Sequence, residues 1–359
     1  MAAWALVIGI NEYPEDAKLT KLYGAVADAA DFADWALDPA GGNIAPQNMF
    51  FWTYPAPENP GPNLVTFMNN PTLWPTVGPD FSKAPGYIEI IRSIPAITEE
   101  AVKSGAQRLY VFFAGHGGQT RLEFATEEPQ NCFMAGDFSA NSMLALGLIG
   151  CDDLRRYLQL VGPPELVLFF DCCRNPLPLK VGKPPAPYDR VNNSQRFARL
   201  GIGRAAQDEQ VAYEVPSADP TRGAFSKLLI GGLREHRVNG RLTLKDLEEF
   251  VTVGIADLVK PPLEQFPDFL ERPRPPAMVL VQGPPLTGSL TLNVTFITVP
   301  IGTEFQVRNE ITELVATELV TDGAHHFDLP IGSYSIELAD GTLLKAFNHI
   351  GPGATDVDV

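Results

Sequence analysis

Residues 108–118 (RLYVFFAGHGG) and 165–175 (ELVLFFDCCRN) each place a run of apolar residues directly before a short polar motif. Continuous apolar runs of this length are typical of parallel strands that are covered by helices on both faces of the sheet. Four further runs predict strands of the same kind: residues 4–10, 49–53, 211–215 and 277–282. The sequence therefore predicts a buried, mostly parallel sheet of six strands.

Helical patterns separate these runs. The predicted helices are residues 23–37, 86–104, 152–161, 224–235 and 243–257. The second contains Pro95, which leaves open whether it is one interrupted helix or two. Such alternation of strands and helices is typical of an α/β fold, an open sheet flanked by helices.

The composition excludes several classes of protein. The 359 residues carry a formal net charge of −16, and because an acidic chain repels phosphate backbones, no nucleic-acid partner is expected. No apolar run reaches the ~18 residues of a membrane span, and the N-terminus has no positively charged signal region, so no membrane partner is expected. The four cysteines lack C-x-x-C spacing. These features together predict a soluble protein in a reducing compartment, the cytoplasm.

The pattern of apolar and turn-forming residues changes after about Pro285. Short β-type runs alternate there with Gly and Pro turns, which predicts a small antiparallel β-sandwich at residues 286–359. This segment has ten carboxylates, while its cations are Arg308 and Lys345. Packing against the preceding domain and docking of a partner, or of the chain's own basic loop, are both open interpretations of this acidic segment.

Both polar motifs begin where a predicted strand ends. Ligands of open α/β sheets bind beyond the carboxyl ends of the strands, so His116 and Cys173 are expected to lie close together. Glycines on both sides of His116 allow a sharp turn and a close approach of substrate. A histidine in this place takes the proton of a thiol and returns it to a leaving amine. The N–H groups of Gly117 and Cys173 are the expected oxyanion donors.

With these motifs the chain resembles the caspase-like cysteine peptidases of clan CD, family C14, and within them the metacaspase and bacterial caspase-like branch. The resemblance covers residues 1–282. It rests on ALVIGINEY (5–13), LYGAVADAADFADWAL (22–37), FFAGHGG (112–118), LFFDCCRN (168–175), GAFSKLLIGGL (223–233) and GRLTLKDLEEFV (240–251). Ala114 stands where the family motif has Ser. The D-x-C motif of the family selects Cys173 as the nucleophile and assigns Cys172 to packing.

The resemblance also implies a substrate pocket. Metacaspase-like members cleave after Arg or Lys and use acidic pocket residues, whereas true caspases cleave after Asp. Asp171 stands two residues before Cys173, and Asp28 matches the pocket Asp of the family's N-D-A motif. Two carboxylates attract a guanidinium group in bidentate geometry, so we expect cleavage after Arg and also Lys. Pairing of Asp171 with Arg174 or with a helix start, and a solvated Asp28, are the simpler alternatives.

Residues 174–208 follow the nucleophile without clear periodicity. This segment carries seven basic and two acidic residues, a local charge of +5 in an acidic protein. Family members often have a linker here that is cut during maturation. The sequence therefore predicts a flexible, exposed loop in a zymogen. The candidate processing residues are Lys180, Lys183, Arg190, Arg196, Arg199 and Arg204.

Taken together, these patterns predict a cysteine endopeptidase, a hydrolase of peptide bonds, that uses a Cys173–His116 dyad. Its partners would be proteins with exposed Arg or Lys sites and an upstream activating protease. No cofactor is expected: some metacaspases need calcium, but a helix start explains Asp152 and Asp153 equally well. A role in regulated proteolysis, such as antiviral defence, is implied by the family alone. A non-catalytic caspase-like protein-interaction module is the alternative hypothesis.

Overall fold

The computed structural model describes most of the chain. The described residues are 2–16, 18–75, 80–120, 130–139, 147–177, 198–215, 220–273, 276–284, 290–309, 312–329, 332–349 and 355–359. The helices are α1 Ala25–Leu37, α2 Pro62–Met68, α3 Tyr87–Lys103, α4 Cys151–Val161, α5 Ala224–Glu235 and α6 Leu244–Leu258. The strands are β1 Ala3–Ile10, β2 Met49–Tyr54, β3 Arg108–Ala114, β4 Gly117–Thr120, β5 Gln130–Met134, β6 Leu148–Gly150, β7 Glu165–Asp171, β8 Arg199–Arg204, β9 Glu214–Val215, β10 Arg222–Gly223, β11 Arg241–Thr243, β12 Asp268–Arg272, β13 Val279–Gln282, β14 Leu290–Thr295, β15 Glu304–Asn309, β16 Leu314–Leu319, β17 His325–Leu329, β18 Gly332–Leu338, β19 Leu343–His349 and β20 Thr355–Asp358.

A six-stranded sheet forms the centre of the fold, with strand order β12-β8-β7-β3-β1-β2. Five strands run parallel, and the edge strand β12 is antiparallel to β8. The predicted mostly parallel α/β sheet is therefore confirmed. Four of its six strands, β1, β2, β3 and β7, are formed by the runs that were predicted at 4–10, 49–53, 108–113 and 165–170.

The other two strands differ from the prediction. Residues 211–215 and 277–282 were expected in this sheet, but β9 pairs with β10, and β13 pairs with β11. Their places are taken by β8 and β12, whose charged residues hide the strand pattern. Arg199 of β8 pairs with Glu271 of β12 at 2.6 Å, and Arg204 pairs with Asp268 at 2.8 Å, so these charges are neutralised within the sheet.

Helices cover both faces of the sheet. On one face Phe32 of α1 stacks on Phe112 of β3, with ring centroids 4.5 Å apart. On the other face, Ile94 of α3 and Leu154 of α4 belong to the same core cluster as Val111 of β3. The helix α3 is continuous through Pro95, which settles the question left open by the sequence. Adjacent strand residues point to opposite faces, so Val111 and Phe112 pack against helices on different faces of the sheet.

The chain divides into two compact units, Met1–Lys227 with Leu263–Pro276 and Leu228–Pro262 with Ala277–Val359. In the second unit, α6 begins with a capping box in which Thr243 and Asp246 bond each other's backbone N–H groups. Its C-terminal strands form two sheets, β17-β14-β20 and β16-β15-β18-β19. Both sheets contribute to one core, which includes Leu292 and Phe305.

This arrangement confirms the predicted C-terminal β-sandwich, although its β14–β20 pair is parallel. The predicted domain boundary, between residues 1–282 and 286–359, stays a prediction. None of the helices among the described residues combines the length and apolar character that a membrane crossing requires.

Candidate active site

The strand register brings the two predicted motifs to one place. β3 and β7 are parallel neighbours in which Ala114 pairs with Asp171, so the chain leaves both strands at the same level. His116 and Cys173 each follow two residues later, and both line one cavity of about 220 Å³. This is the site expected beyond the carboxyl ends of parallel strands.

His116 is fixed through both its ring and its backbone. Its Nε2 lies 2.7 Å from the carbonyl oxygen of Thr20, which selects the tautomer that donates from Nε2 and leaves Nδ1 as the acceptor. Its backbone N–H donates to the hydroxyl of Tyr13 at 2.8 Å, and the Tyr13 ring lies 5.1 Å from the imidazole. Burial lowers the pKa of His116, so the ring is neutral at neutral pH.

Glycine at position 115 makes the contact with Tyr13 sterically feasible. A Cβ atom on Gly115 would lie only 2.6 Å from the Tyr13 hydroxyl oxygen. Tyr13 itself is 6% exposed, and burial raises its pKa, so the hydroxyl remains protonated. The pair therefore forms a rigid support directly beneath the histidine loop.

The two adjacent cysteines have different environments. Cys172 is buried in the core cluster, and a Cβ on Gly117 would lie 2.8 Å from its sulfur. Cys173 is only partly buried, and its thiol donates to the carbonyl of Ala212 at 3.8 Å. Burial raises the pKa of Cys173, so the resting group is a thiol that needs a base before it can attack.

Arg174 anchors the segment that carries Cys173. Its guanidinium pairs with Asp208 and, at 3.1 Å, with Asp268, and it also donates to the carbonyl of Ala206 at 2.9 Å. It does this while its own side chain is only 8% exposed. The suggested pairing of Asp171 with Arg174 is therefore not what the structure shows. Because the Arg174 guanidinium is buried, loss of its partners would leave an uncompensated charge in the protein, so these bonds hold the turn at Cys173.

The strand β4 runs beside the segment that follows Cys173. The N–H of Gln119 donates to the carbonyl of Asn175 at 2.9 Å, while Met134 N–H bonds the carbonyl of His116 at 2.9 Å. Because N–H groups of alternate residues in a strand point to the same side, the N–H of Gly117 points the same way as that of Gln119, towards the segment that carries Cys173.

Three carboxylates line the same cavity as His116 and Cys173. They are Asp28, Asp171 and Glu214. Asp28 and Asp171 are buried, and the ideal Cβ position on Gly223 lies 2.9 Å from Asp28 Oδ2 and 2.3 Å from Asp171 Oδ2. Glycine at 223 is therefore what allows the two carboxylates to approach each other.

Each carboxylate also has a partner within the protein. Asp28 accepts hydrogen bonds from the Arg222 guanidinium and, at 2.8 Å, from the Gly223 N–H. Asp171 accepts from the N–H and hydroxyl of Ser226, at 3.1 and 2.6 Å, in the first turn of α5. Asp171 thus does bond a helix start, as one alternative held, and lines the cavity as well.

Burial dominates the electrostatics of this pair. Desolvation raises the pKa of Asp28 to about 7, against the opposing effect of Arg222. Desolvation also raises the pKa of Asp171 to about 6, while its bonds to Ser226 lower it. Both groups therefore change charge close to neutral pH, and a cation that entered the cavity would favour their ionised forms.

Sequence reasoning missed four residues of this site. Glu214 accepts from the N–H of Tyr23 at 2.8 Å and from Gly24, and thereby joins the loop before α1 to the cavity wall. Tyr13, Thr20 and Arg222 were also missed. Tyr13 could have been noticed, because it lies three residues after the apolar run of β1. The backbone carbonyl of Thr20 leaves no pattern in a sequence.

The segment before β10 lies at the cavity and not in the central sheet. Residues 211–215 were expected as a strand of the central sheet. Residues 211–214 and Gly223 in fact line the cavity. Residues 216–219 lie outside the described residues.

Part of the segment that was predicted as a flexible loop is a strand of the central sheet. Arg199 and Arg204 lie in β8, between β7 and β12 in the central sheet, so the prediction that they belong to a flexible processing loop is wrong. A hydrogen-bonded central strand is a poor protease substrate because cleavage needs an extended, detached chain. The candidates Lys180, Lys183, Arg190 and Arg196 lie outside the described residues.

Asp152 and Asp153 occupy the first turn of α4, where Asp152 pairs with Arg155 at 3.1 Å. Within the part of the chain that the structure describes, no three His, Cys, Asp or Glu side chains are grouped as a metal site.

Comparison with known proteins identifies the family of the chain. The caspase domain model (Peptidase_C14) matches residues 2–268. A probable protease from a Desulfuromonadales bacterium is 30% identical over 255 residues, which is 65% of this chain and 26% of that longer protein. A structural-genomics target from Geobacter sulfurreducens has a TM-score of 0.46 at 17% identity, over 80% of this chain and 99% of its own. Caspase-1 from Spodoptera frugiperda has a TM-score of 0.45 at 15% identity, over 78% of this chain and 90% of its own. Since the family model spans most of the chain, the protein belongs to the caspase-domain peptidases of family C14.

Proposed function

We propose that the protein is a cysteine endopeptidase that cleaves after Arg, and also after Lys, through Cys173 and His116. The observation that carries this proposal is the single cavity lined by His116, Cys173 and three carboxylates. Membership of a peptidase family supports the reaction type. The charge of the cavity supports the choice of substrate.

The first step is proton transfer from the Cys173 thiol to His116. The neutral imidazole has its Nε2–H engaged by Thr20, so Nδ1 is the nitrogen that accepts the proton. The sulfur then attacks the scissile carbonyl, and the imidazolium gives the proton to the leaving amine. Water, deprotonated by the same ring, adds to the acyl-enzyme carbonyl and displaces the sulfur, so that the carboxylic acid leaves and the thiol is regenerated.

The oxyanion that forms at each addition needs donors with fixed positions. β4 holds the N–H of Gly117 beside the segment that carries Cys173, which supports Gly117 as one of the donors we propose. The N–H of Cys173 itself is the second donor we propose. Such preorganised donors contribute about 3–4 kcal/mol each to the stability of the transition state.

The charge of the cavity favours a cationic side chain next to the scissile bond. Asp28, Asp171 and Glu214 supply three negative charges when ionised, while Arg222 supplies one positive charge. An Arg side chain would bond two carboxylates in its planar, forked geometry, and Lys would use one point charge. An Asp side chain would be repelled by the same groups.

A panel of fluorogenic peptides tests this proposal. The panel holds the sequence constant and varies the residue before the cleaved bond among Arg, Lys, Asp and Leu. We expect kcat/KM to be highest for Arg, and turnover to be lost in Cys173→Ala and His116→Ala. Faster cleavage after Asp would refute the specificity. Turnover independent of Cys173 would refute the mechanism, and its absence from the wild type after proteolytic activation would favour the non-catalytic interaction module.

Activation as a zymogen is a separate part of the proposal. Because Arg199 and Arg204 lie in β8, the remaining candidate processing sites are Lys180, Lys183, Arg190 and Arg196. All four carry the side chain that the cavity favours, so self-cleavage and an upstream protease of similar specificity are both consistent with them. Intact-mass analysis of the wild type against Cys173→Ala separates the two, because only self-cleavage disappears in the variant. Fully active wild type with an unbroken chain would contradict processing.

The location and biological setting are further proposals. All four cysteines are free, and Cys132, Cys151 and Cys172 are buried. Free buried thiols are typical of reducing compartments, which supports a cytoplasmic location. A metacaspase-like role in regulated proteolysis, such as antiviral defence, is our working hypothesis, and fractionation of cells that express a tagged chain tests the location.

A further inference from the structure

β16 is one of the edge strands of the C-terminal sandwich. β16 lies at the end of its four-stranded sheet and pairs with β15 on one side. On its other side, no strand among the described residues pairs with it. An edge strand presents unpaired N–H and C=O groups, which natural proteins usually protect with Lys, Pro or a covering segment. β16 has the sequence LVATEL and contains neither Lys nor Pro.

Aliphatic side chains are exposed along this edge. Leu314 and Leu319, at the two ends of β16, are 53% and 55% exposed. Ile301 is 72% exposed and lies near the end of β16, since the N–H of Gly302 donates to the carbonyl of Val320 at 2.8 Å. Exposed aliphatic side chains therefore stand at both ends of the open strand, with the exposed Thr317 and Glu318 between them.

The core fixes which side chains of β16 face outwards. Ala316 lies opposite the buried Val307 and packs against the sandwich core. Glu318 lies opposite the buried Phe305 and bonds His325 Nδ1 at 2.6 Å. A slip by one residue would exchange these inward groups for outward ones, so the register is set and Leu319 remains on the outer face.

Carboxylates surround the same edge. Glu304 lies opposite Leu319 in β15, Glu313 directly precedes β16, and Asp322 follows it; all three are exposed. The nearby cation Arg308 is already engaged by Glu337 at 3.3 Å. The edge therefore combines backbone pairing capacity, exposed aliphatic groups and a net negative charge.

We propose that β16, with Ile301 and the three exposed carboxylates, is a docking strand for an extended basic segment of a partner protein. The segment adds as a further strand, its backbone pairs with β16, and alternate Lys or Arg side chains meet Glu304, Glu313 and Asp322. Its aliphatic side chains cover Leu314 and Leu319. A second copy of this chain is a poor occupant, because two edges of equal negative charge repel each other.

A peptide of alternating Lys and Val, eight residues long and fluorescently labelled, is the probe. Its binding to the full chain carrying Cys173→Ala is measured by fluorescence anisotropy, so that cleavage does not consume it. We expect saturable binding that weakens at least tenfold in Glu304→Lys/Glu313→Lys. The control Asp328→Lys/Asp358→Lys makes the same charge change at exposed residues of the other sheet and should stay within about twofold.

Further peptides separate strand addition from simple charge attraction. Substitution of two central Val residues by Pro keeps the charge but removes N–H donors, and should abolish binding. Equal binding of the Pro peptide, or equal loss of binding in both charge variants, would overturn the proposal. Self-association of the chain that Glu304→Lys/Glu313→Lys abolishes would overturn it in favour of a second copy. Cys173→Ala removes the proposed protease activity from the assay, and the paired charge variants separate binding at β16 from binding in the acidic cavity, which both variants leave unchanged.

Discussion

Replacement of Tyr13 by Phe tests whether the support beneath His116 governs catalysis. The ring is retained, and with it the 5.1 Å contact to the imidazole, while the hydroxyl that accepts the His116 N–H at 2.8 Å is removed. A buried N–H that loses its acceptor costs about 1–3 kcal/mol. If the histidine loop shifts to recover that energy, the same amount appears as a fall in kcat of roughly 5- to 150-fold.

The effect should appear in kcat and not in KM, because Tyr13 is not among the residues that line the cavity. The pH profile should also change. Burial holds the pKa of His116 below its usual value, so a shifted, better hydrated ring has a higher pKa. The acid limb of kcat/KM would therefore move to higher pH in Tyr13→Phe.

Tyr110→Phe is the matched control. Tyr110 is also a buried tyrosine, and its hydroxyl accepts a hydrogen bond from Arg108 Nη1 at 2.9 Å at the opposite end of β3. Both variants are assayed with the Arg peptide and by thermal unfolding. Equal loss of kcat in the two variants, or a change in KM alone for Tyr13→Phe, would refute the positioning role.

Three further predictions concern the cavity. Cys172→Ser should keep measurable turnover and lower the melting temperature, whereas Cys173→Ser should lose turnover at unchanged stability; the reverse pattern would exchange their roles. Asp171→Asn keeps an acceptor for Ser226 but removes a charge, so kcat/KM for Arg peptides should fall about tenfold or more, with Leu peptides as the unaffected control. The pKa values of Asp28 (about 7) and Asp171 (about 6) predict that a peptide ending in agmatine binds more tightly as the pH rises from about 5.5 to 8; pH-independent affinity would contradict this.

The same raised pKa of Asp28 has a consequence for stability. Between about pH 4 and 7 the folded state binds more protons than the unfolded state, so this group makes the protein less stable as the pH rises through that range. Asp28→Asn should flatten the decline in a series of melting temperatures. A steeper decline in the variant would show that Arg222 outweighs burial.

The sequence was sufficient to predict those strands that consist of continuous runs of apolar residues. β1, β3 and β7 are buried on both faces and appear as continuous apolar runs, and the motifs after β3 and β7 located His116 and Cys173. β8 (RLGIGR) and β12 (DFLER) were not predicted because their charged residues interrupt the apolar pattern of a buried strand. The groups that neutralise these charges lie on the neighbouring strand. Arg199 and Glu271 are 72 residues apart, and no local pattern connects them.

The same limit applies to the cavity. Asp28 and Asp171 belong to motifs, but Glu214 lies in an extended segment that no periodicity distinguishes. Its role depends on the loop before α1, whose N–H groups of Tyr23 and Gly24 it binds from a sequence distance of about 190 residues. The partner of Asp28 is equally remote, since Arg222 is 194 residues away. Contacts of this kind become visible only after folding.

Active-site labelling tests the central claim most directly. The chain is treated with a peptidyl Arg chloromethylketone and with its Asp counterpart, and peptide mapping by mass spectrometry locates the adduct. We predict a single adduct of the Arg reagent on Cys173 that forms much faster than with the Asp reagent and disappears in His116→Ala. An adduct on Cys172, preference for the Asp reagent, or labelling that does not depend on His116 would contradict the account.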